Sequence, residues 1–132
     1  MYESDSMIAD TDFLIALSGR DADAHAKLAA LEEEGVPIKI PAMAMLEFYI
    51  GVGAVATPDQ EKDARRVLSQ HPFVPMDAEI AMRAGRRIRE LDAKQFKKGE
   101  AAIGATAEVE GEKVLTRNVE DFEKMGFEVE SW

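Results

Sequence analysis

The feature that most constrains this chain is the alternation of very short apolar runs with longer segments of helical pattern. Met7-Ile8-Ala9, Pro37 to Ile40, Phe73 to Met76, Lys113 to Leu115 and Phe127 to Val129 are too short for helices and read as strands, the third ending near Pro75. Between them lie helical segments at Thr11 to Ser18, stopped by Gly19, and at Asp21 to Glu34, with Leu28 and Leu31 at helical spacing and Gly35 as a stop. Pro41 is expected to open a helix through about Val55. Thr57-Pro58-Asp59-Gln60 has the form of a capping box for a helix ending near Gln70. Asp77 can cap a long helix carrying Ile80, Ala84, Ile88 and Leu91 on one face. Gly99 then interrupts before a helix at Glu100 to Val109, and a short helix spans Val119 to Met125. This pattern predicts an α/β fold in three layers, α/β/α, with a mainly parallel central sheet. The 132 residues make one domain, with Met1 to Ser6 as a flexible extension before the first apolar run.

Composition removes several chemistries. The chain has no cysteine, so a disulfide framework, a thiolate nucleophile and a cysteine zinc site are excluded. Apolar residues make up 46%, enough for a packed core. The longest nearly apolar stretch, Ala42 to Ala56, is too short to span a bilayer and is broken by Glu47. With no signal-peptide pattern at the start, the expectation is a cytoplasmic protein with no membrane partner. A net charge of −10 opposes general attraction to nucleic acid, yet residues 83 to 98 hold seven basic and two acidic side chains. That basic stripe, with Arg83, Arg86, Arg87, Lys97 and Lys98, can contact phosphates or can simply be a solvated helix face.

Ligands in open parallel sheets bind beyond the carboxyl ends of the strands. Asp10 stands at one such end, and Thr116-Arg117-Asn118 follows another. Glu47 interrupts an otherwise apolar helix, where a charge needs compensation unless it lies on the exposed stripe. Glu100 opens a helix of small residues, where charge–dipole stabilisation is the plain explanation and a ligand role the alternative. Clustered carboxylates suit hard divalent cations, which assist phosphodiester hydrolysis without a histidine base. His25 and His71 are both explained structurally.

These segments also carry a family resemblance. Ile8-Ala9-Asp10-Thr11-Asp12-Phe13-Leu14-Ile15 resembles the opening motif of PIN-domain proteins, especially VapC-like ribonuclease toxins of prokaryotic type II toxin–antitoxin pairs. Ile40-Pro41 through Glu47 and Gly51 is similar to the second motif, and Glu100 to Ala107 to the third, which usually begins with aspartate. Val114-Leu115-Thr116-Arg117-Asn118-Val119-Glu120-Asp121-Phe122 resembles the fourth, and Phe127 to Trp132 the closing strand. The resemblance implies a metal-dependent endoribonuclease with Mg²⁺ or Mn²⁺ held by Asp10, Glu47, Glu100 and Asp121, and a pocket ordered by Thr11, Asp12, Thr116 and Asn118. The fourth acidic role stays open between Asp121 and Asn118. It further implies transfer RNA or another structured RNA as substrate, an antitoxin partner and a homodimer. Glu100 departs from the pattern by one methylene, which opens the reading of a catalytically weakened PIN-like binding or scaffold module; a separate rival, an aspartate-nucleophile phosphatase, comes from Asp10-Thr11-Asp12.

Overall fold

The computed structural model describes residues 6–55, 57–91 and 98–132. Its strands are β1 (Met7–Ala9), β2 (Ile38–Pro41), β3 (Phe73–Val74), β4 (Lys113–Leu115) and β5 (Val129–Glu130). The helices are α1 (Thr11–Ser18), α2 (Ala22–Glu33), α3 (Ala42–Val55), α4 (Pro58–Ser69), α5 (Ala78–Glu90), α6 (Lys98–Glu110) and α7 (Val119–Lys124). The sheet has five strands in the order β3-β2-β1-β4-β5, and every neighbouring pair is parallel. A short parallel sheet needs cover on both faces, and the helices supply it as the expected three layers.

Local chemistry explains most boundaries. Asp10, Asp21 and Asp77 cap α1, α2 and α5 by accepting backbone N–H bonds, and Thr57 with Gln60 forms a complete capping box on α4. Gly35 follows α2 with φ of 74°, a left-handed turn that favours glycine. Several boundaries differ from expectation: β3 stops at Val74 rather than Met76, and β5 covers Val129–Glu130 rather than Phe127 to Val129. Pro41 is the last residue of β2, paired with Val74, and the helix starts at Ala42. The Ile40 N–H points toward β3 and reaches the Pro72 carbonyl, so a proline nitrogen at position 41 faces the other way, past the last residue paired with β1. Gly99 is no interruption: it lies buried inside the first turn of α6. Ser6 is buried with its hydroxyl on Glu112, and the rest of the expected extension, residues 1–5, lies outside the described part.

The core centres on β1 and β4, with Phe13, Phe48, Phe122 and Ile103 fully enclosed. Each such side chain contributes about 1.5–3 kcal/mol by leaving water. Helix α6 packs against β1, β4, α3, α5 and α7, and residues 101 to 107 are all buried. Small residues make that possible; at Gly104 any Cβ would collide with the Phe127 ring. No helix among the described residues is long and apolar enough to cross a membrane.

Topology then sets the site. From β1 the chain builds β2 and β3 on one side of the sheet, and later β4 and β5 on the other. The reversal opens a crevice at the carboxyl ends of β1 and β4, where Asp10 and Thr116 sit.

Candidate functional site

Asp10 is the first residue after β1, held there by its N–H bond to the Leu115 carbonyl of β4. Its side chain accepts from the Phe13 N–H at 2.8 Å and from the Thr116 hydroxyl, yet it is only 4% exposed. Burial raises its pKa from 3.8 to about 6; the Thr116 and Phe13 bonds oppose the rise, and the charges of Asp12 and Glu100 add to it. Thr116 is itself fixed, because its oxygen accepts the Asn118 N–H at 2.8 Å.

Glu47 arrives from α3 and is gripped by Thr11, whose hydroxyl donates to Oε1 at 2.6 Å. The other side of its carboxylate lies against Gly99 in α6. Glu100 is the next residue on that helix. Asp10, Thr11, Asp12, Glu47, Glu100, Ile103, Asn118 and Phe122 line one cavity of about 130 Å³. Ile103 and Phe122 form its apolar wall, and among the described residues no basic side chain lines it.

This lining suits a hard divalent cation in donor chemistry and in charge: the donors are carboxylate, hydroxyl and amide oxygens, and Asp10 resists ionising beside its acidic neighbours. The fit stops short of a preformed cage. Among the described residues, no three acidic or histidine side chains already converge as a coordination sphere.

The structure therefore brings together Asp10, Thr11, Asp12, Glu47, Glu100 and Asn118 from separate segments, with Thr116 directly behind Asp10. Asp121 stands apart, half-buried in the first turn of α7 and not in the cavity lining. The basic stripe divides. Arg83 bridges Glu79 and Glu108, whereas Arg87 bonds Glu108 and the Met125 carbonyl and stacks 4.6 Å above the Phe127 ring. Glu108 lies about 12 Å along α6 from Glu100, so both arginines serve the far end of that helix. Arg86 and Lys98 are exposed, Lys98 at the start of α6 near the cavity; Lys97 lies outside the described residues. His25 is exposed against the Gly19 carbonyl, and His71 is half-buried with its pKa lowered by desolvation, against the opposing charge of Glu32. Neither histidine lines the cavity.

A larger hollow of about 560 Å³ lies at the other end of α6, among Gly104, Glu108, Glu112 and Phe127, and shares no residue with the carboxylate cavity. Of the acids lining that hollow, Glu108 and Glu112 have basic partners. Gly99 is the site residue that sequence reasoning missed. The available signal was a glycine beside Glu100 in a helix that otherwise takes alanine freely.

The PIN domain family model matches residues 7–128. The chain belongs to the PIN domain family. Members of this family are generally nucleases. Among solved structures, VapBC2 from Rickettsia felis bound to a promoter DNA fragment matches with a TM-score of 0.83 at 17% identity, over 96% of this chain and 98% of that one. A toxin–antitoxin complex from Klebsiella pneumoniae is 30% identical over 88% of this PIN-domain chain and 89% of its own, with a TM-score of 0.71. VapC20 from Mycobacterium tuberculosis, described as a toxin that cleaves the sarcin–ricin loop, is 17% identical with a TM-score of 0.70, over 92% and 95% of the two chains. No curated protein matches the sequence.

Proposed function

We propose that this PIN-domain protein is a Mg²⁺- or Mn²⁺-dependent endoribonuclease, the toxin of a toxin–antitoxin pair, acting in the cytoplasm on a structured RNA. One observation carries the reading: carboxylates from α1, α3 and α6 and the residue before α1 face a single cavity whose lining, among the described residues, is oxygen donors against an apolar wall. Asp10, Glu47 and Glu100 would hold the ion, with Asn118 favoured over Asp121 at the fourth position because Asn118 lines the cavity. The ion, when bound, would supply Lewis acidity and charge neutralisation at the scissile phosphodiester. Thr11 fixes Glu47, and Thr116 fixes Asp10 and the Asn118 backbone, so the protein orders its acids before any ligand arrives. Asp12 stands exposed at the cavity mouth.

Lys98 and Arg86, with Lys97 by its place in the sequence, are the residues we assign to the RNA backbone. Arg83 and Arg87 are left out, since acidic neighbours already engage them. The antitoxin partner is supported by the toxin–antitoxin complexes among the structural matches, and the homodimer rests on the family resemblance alone. Exposed Leu46 and Ile50, one turn apart on α3, and Ile15 on α1 offer apolar surface for such contacts.

The absence of a preformed coordination sphere among the described residues favours a second reading, a PIN-like binding or scaffold module. The aspartate-nucleophile phosphatase reading loses its ground with the family assignment. The test is incubation of the purified, antitoxin-free protein with total transfer RNA and ribosomal RNA fragments, with Mn²⁺ or with chelator, alongside Asp10→Asn. Discrete cleavage that needs the metal and disappears in Asp10→Asn is the expected result. Cleavage indifferent to both would overturn the metal mechanism, and intact RNA under every condition would bring the binding module forward.

A further inference from the structure

We propose that Gly99 is a positioning residue for Glu47: its bare Cα is the seat that sets where the Glu47 carboxylate lies in the cavity. The inference rests on reading Glu47 as a metal-holding acid. A Cβ built on Gly99 would overlap Glu47 Oε2 and stand 2.8 Å from Cδ and 3.0 Å from Oε1, closer than real methyl groups approach such atoms. The backbone gives no other reason for glycine, since Gly99 is not among the residues with positive φ. Propensity argues against glycine too, because alanine is favoured over it by up to about 1 kcal/mol in a helix. The chain uses alanine at positions 101, 102, 105 and 107 of the same helix, and its other glycine, Gly104, has the Phe127 ring as its own steric reason.

The carboxylate is a flexible end, so an added methyl group displaces it without unfolding the protein, at a cost of about 1 kcal/mol, as much as alanine gains in the helix. Position, rather than stability, is therefore what Gly99 controls. Displacement would also pull Oε1 from the Thr11 hydroxyl, now 2.6 Å away. Glu47 is thus bounded on two sides, by a hydrogen bond from α1 and by the missing side chain of α6. The seat lies in the first turn of α6, where the helix dipole favours a negative charge. It also puts the Glu47 carboxylate next to the residue preceding Glu100, which couples the two acids to one short piece of backbone.

The experiment is a cycle of Gly99→Ala, Glu47→Ala and the double variant, each measured by Mn²⁺ calorimetry and, metal-free, by thermal unfolding. Gly99→Ala should weaken Mn²⁺ binding by about tenfold or more, as loss of an orienting partner does. Metal-free, it should raise Tm in the Glu47→Ala background, where the space is open, and fail to raise it when Glu47 is present. The same Tm shift in both backgrounds would overturn the seat. Unchanged Mn²⁺ affinity alongside a non-additive Tm would show crowding without positioning and would overturn the proposal as stated. If the unmodified protein binds no Mn²⁺, the nuclease reading falls, while the thermal cycle still decides whether Gly99 seats Glu47.

Discussion

Helix α6 carries acids at both ends, and the two ends treat them in opposite ways. At its end, Glu108 receives Arg83 and Arg87, and Lys39 bridges Glu110 and the adjoining Glu112. At its start, Glu100 joins Asp10, Asp12 and Glu47 around a cavity whose lining, among the described residues, includes no basic side chain. Acids that only hold a fold together are given partners, since an uncompensated buried charge is costly. In the proposed reading, a bound cation offsets the charge gathered at the cavity. The contrast separates scaffold from site better than cavity size does, because the larger hollow lies at the paired end.

The largest expected effect comes from removing one acid of the carboxylate cavity. Asp10→Asn keeps a capping side chain for the Phe13 N–H, so the fold should stand. Mn²⁺ affinity should fall beyond the roughly 10–100-fold typical of an outer partner, read by calorimetry. The metal-free variant should nevertheless unfold at a higher temperature at pH 7. The sign follows from the raised pKa: the folded protein favours protonated Asp10, so this contribution is full below about pH 4 and is lost as pH rises through about 6. The loss amounts to about 3 kcal/mol at most. Plotted against pH, the stability gap between the variant and the unmodified chain should open across that window and then stay level. A gap independent of pH would mean that Asp10 is not strained in its charged form.

At the paired end the signs reverse. Arg87→Ala removes the contact to Glu108, the bond to the Met125 carbonyl and the stack on Phe127. It should destabilise the protein by about 1–3 kcal/mol in chemical denaturation and leave Mn²⁺ affinity untouched. A change in metal affinity would break the division between the two ends. The smallest effect concerns RNA. Lys98→Ala should lower the slope of log affinity against log salt by about 0.7, one phosphate contact on single-stranded RNA, while Arg83→Ala should leave the slope unchanged.

Much of this was legible in the sequence for local reasons. Asp10 and Thr116 follow strands whose apolar runs are plain, so their place at the sheet's carboxyl rim could be deduced before any contact was known. Glu47 and Glu100 were recognisable as acids in apolar or small-residue helices. What failed was non-local. Pro41 resembles a helix start until its pairing with Val74 is known, and Gly99 resembles a break until Glu47 is found lying on it. The basic stripe gave charges without partners: Arg83 and Arg87 find Glu108 on the next helix, across residues outside the described part. Asn118 and Asp121 could not be separated because both belong to the segment after β4, and only the path of the chain into α7 puts Asn118 alone on the cavity.

The end of the chain carries a further consequence. Trp132 meets Phe13 edge-on at 5.1 Å, and the Arg117 guanidinium lies 3.6 Å over its ring. Phe13 supplies the N–H that Asp10 accepts, and Arg117 follows the threonine that bonds the same carboxylate. Trp132 is also the sole tryptophan. The indole emission of this protein therefore originates within two contacts of the acidic cavity, so events at Asp10 can be followed optically, without a label or a substrate.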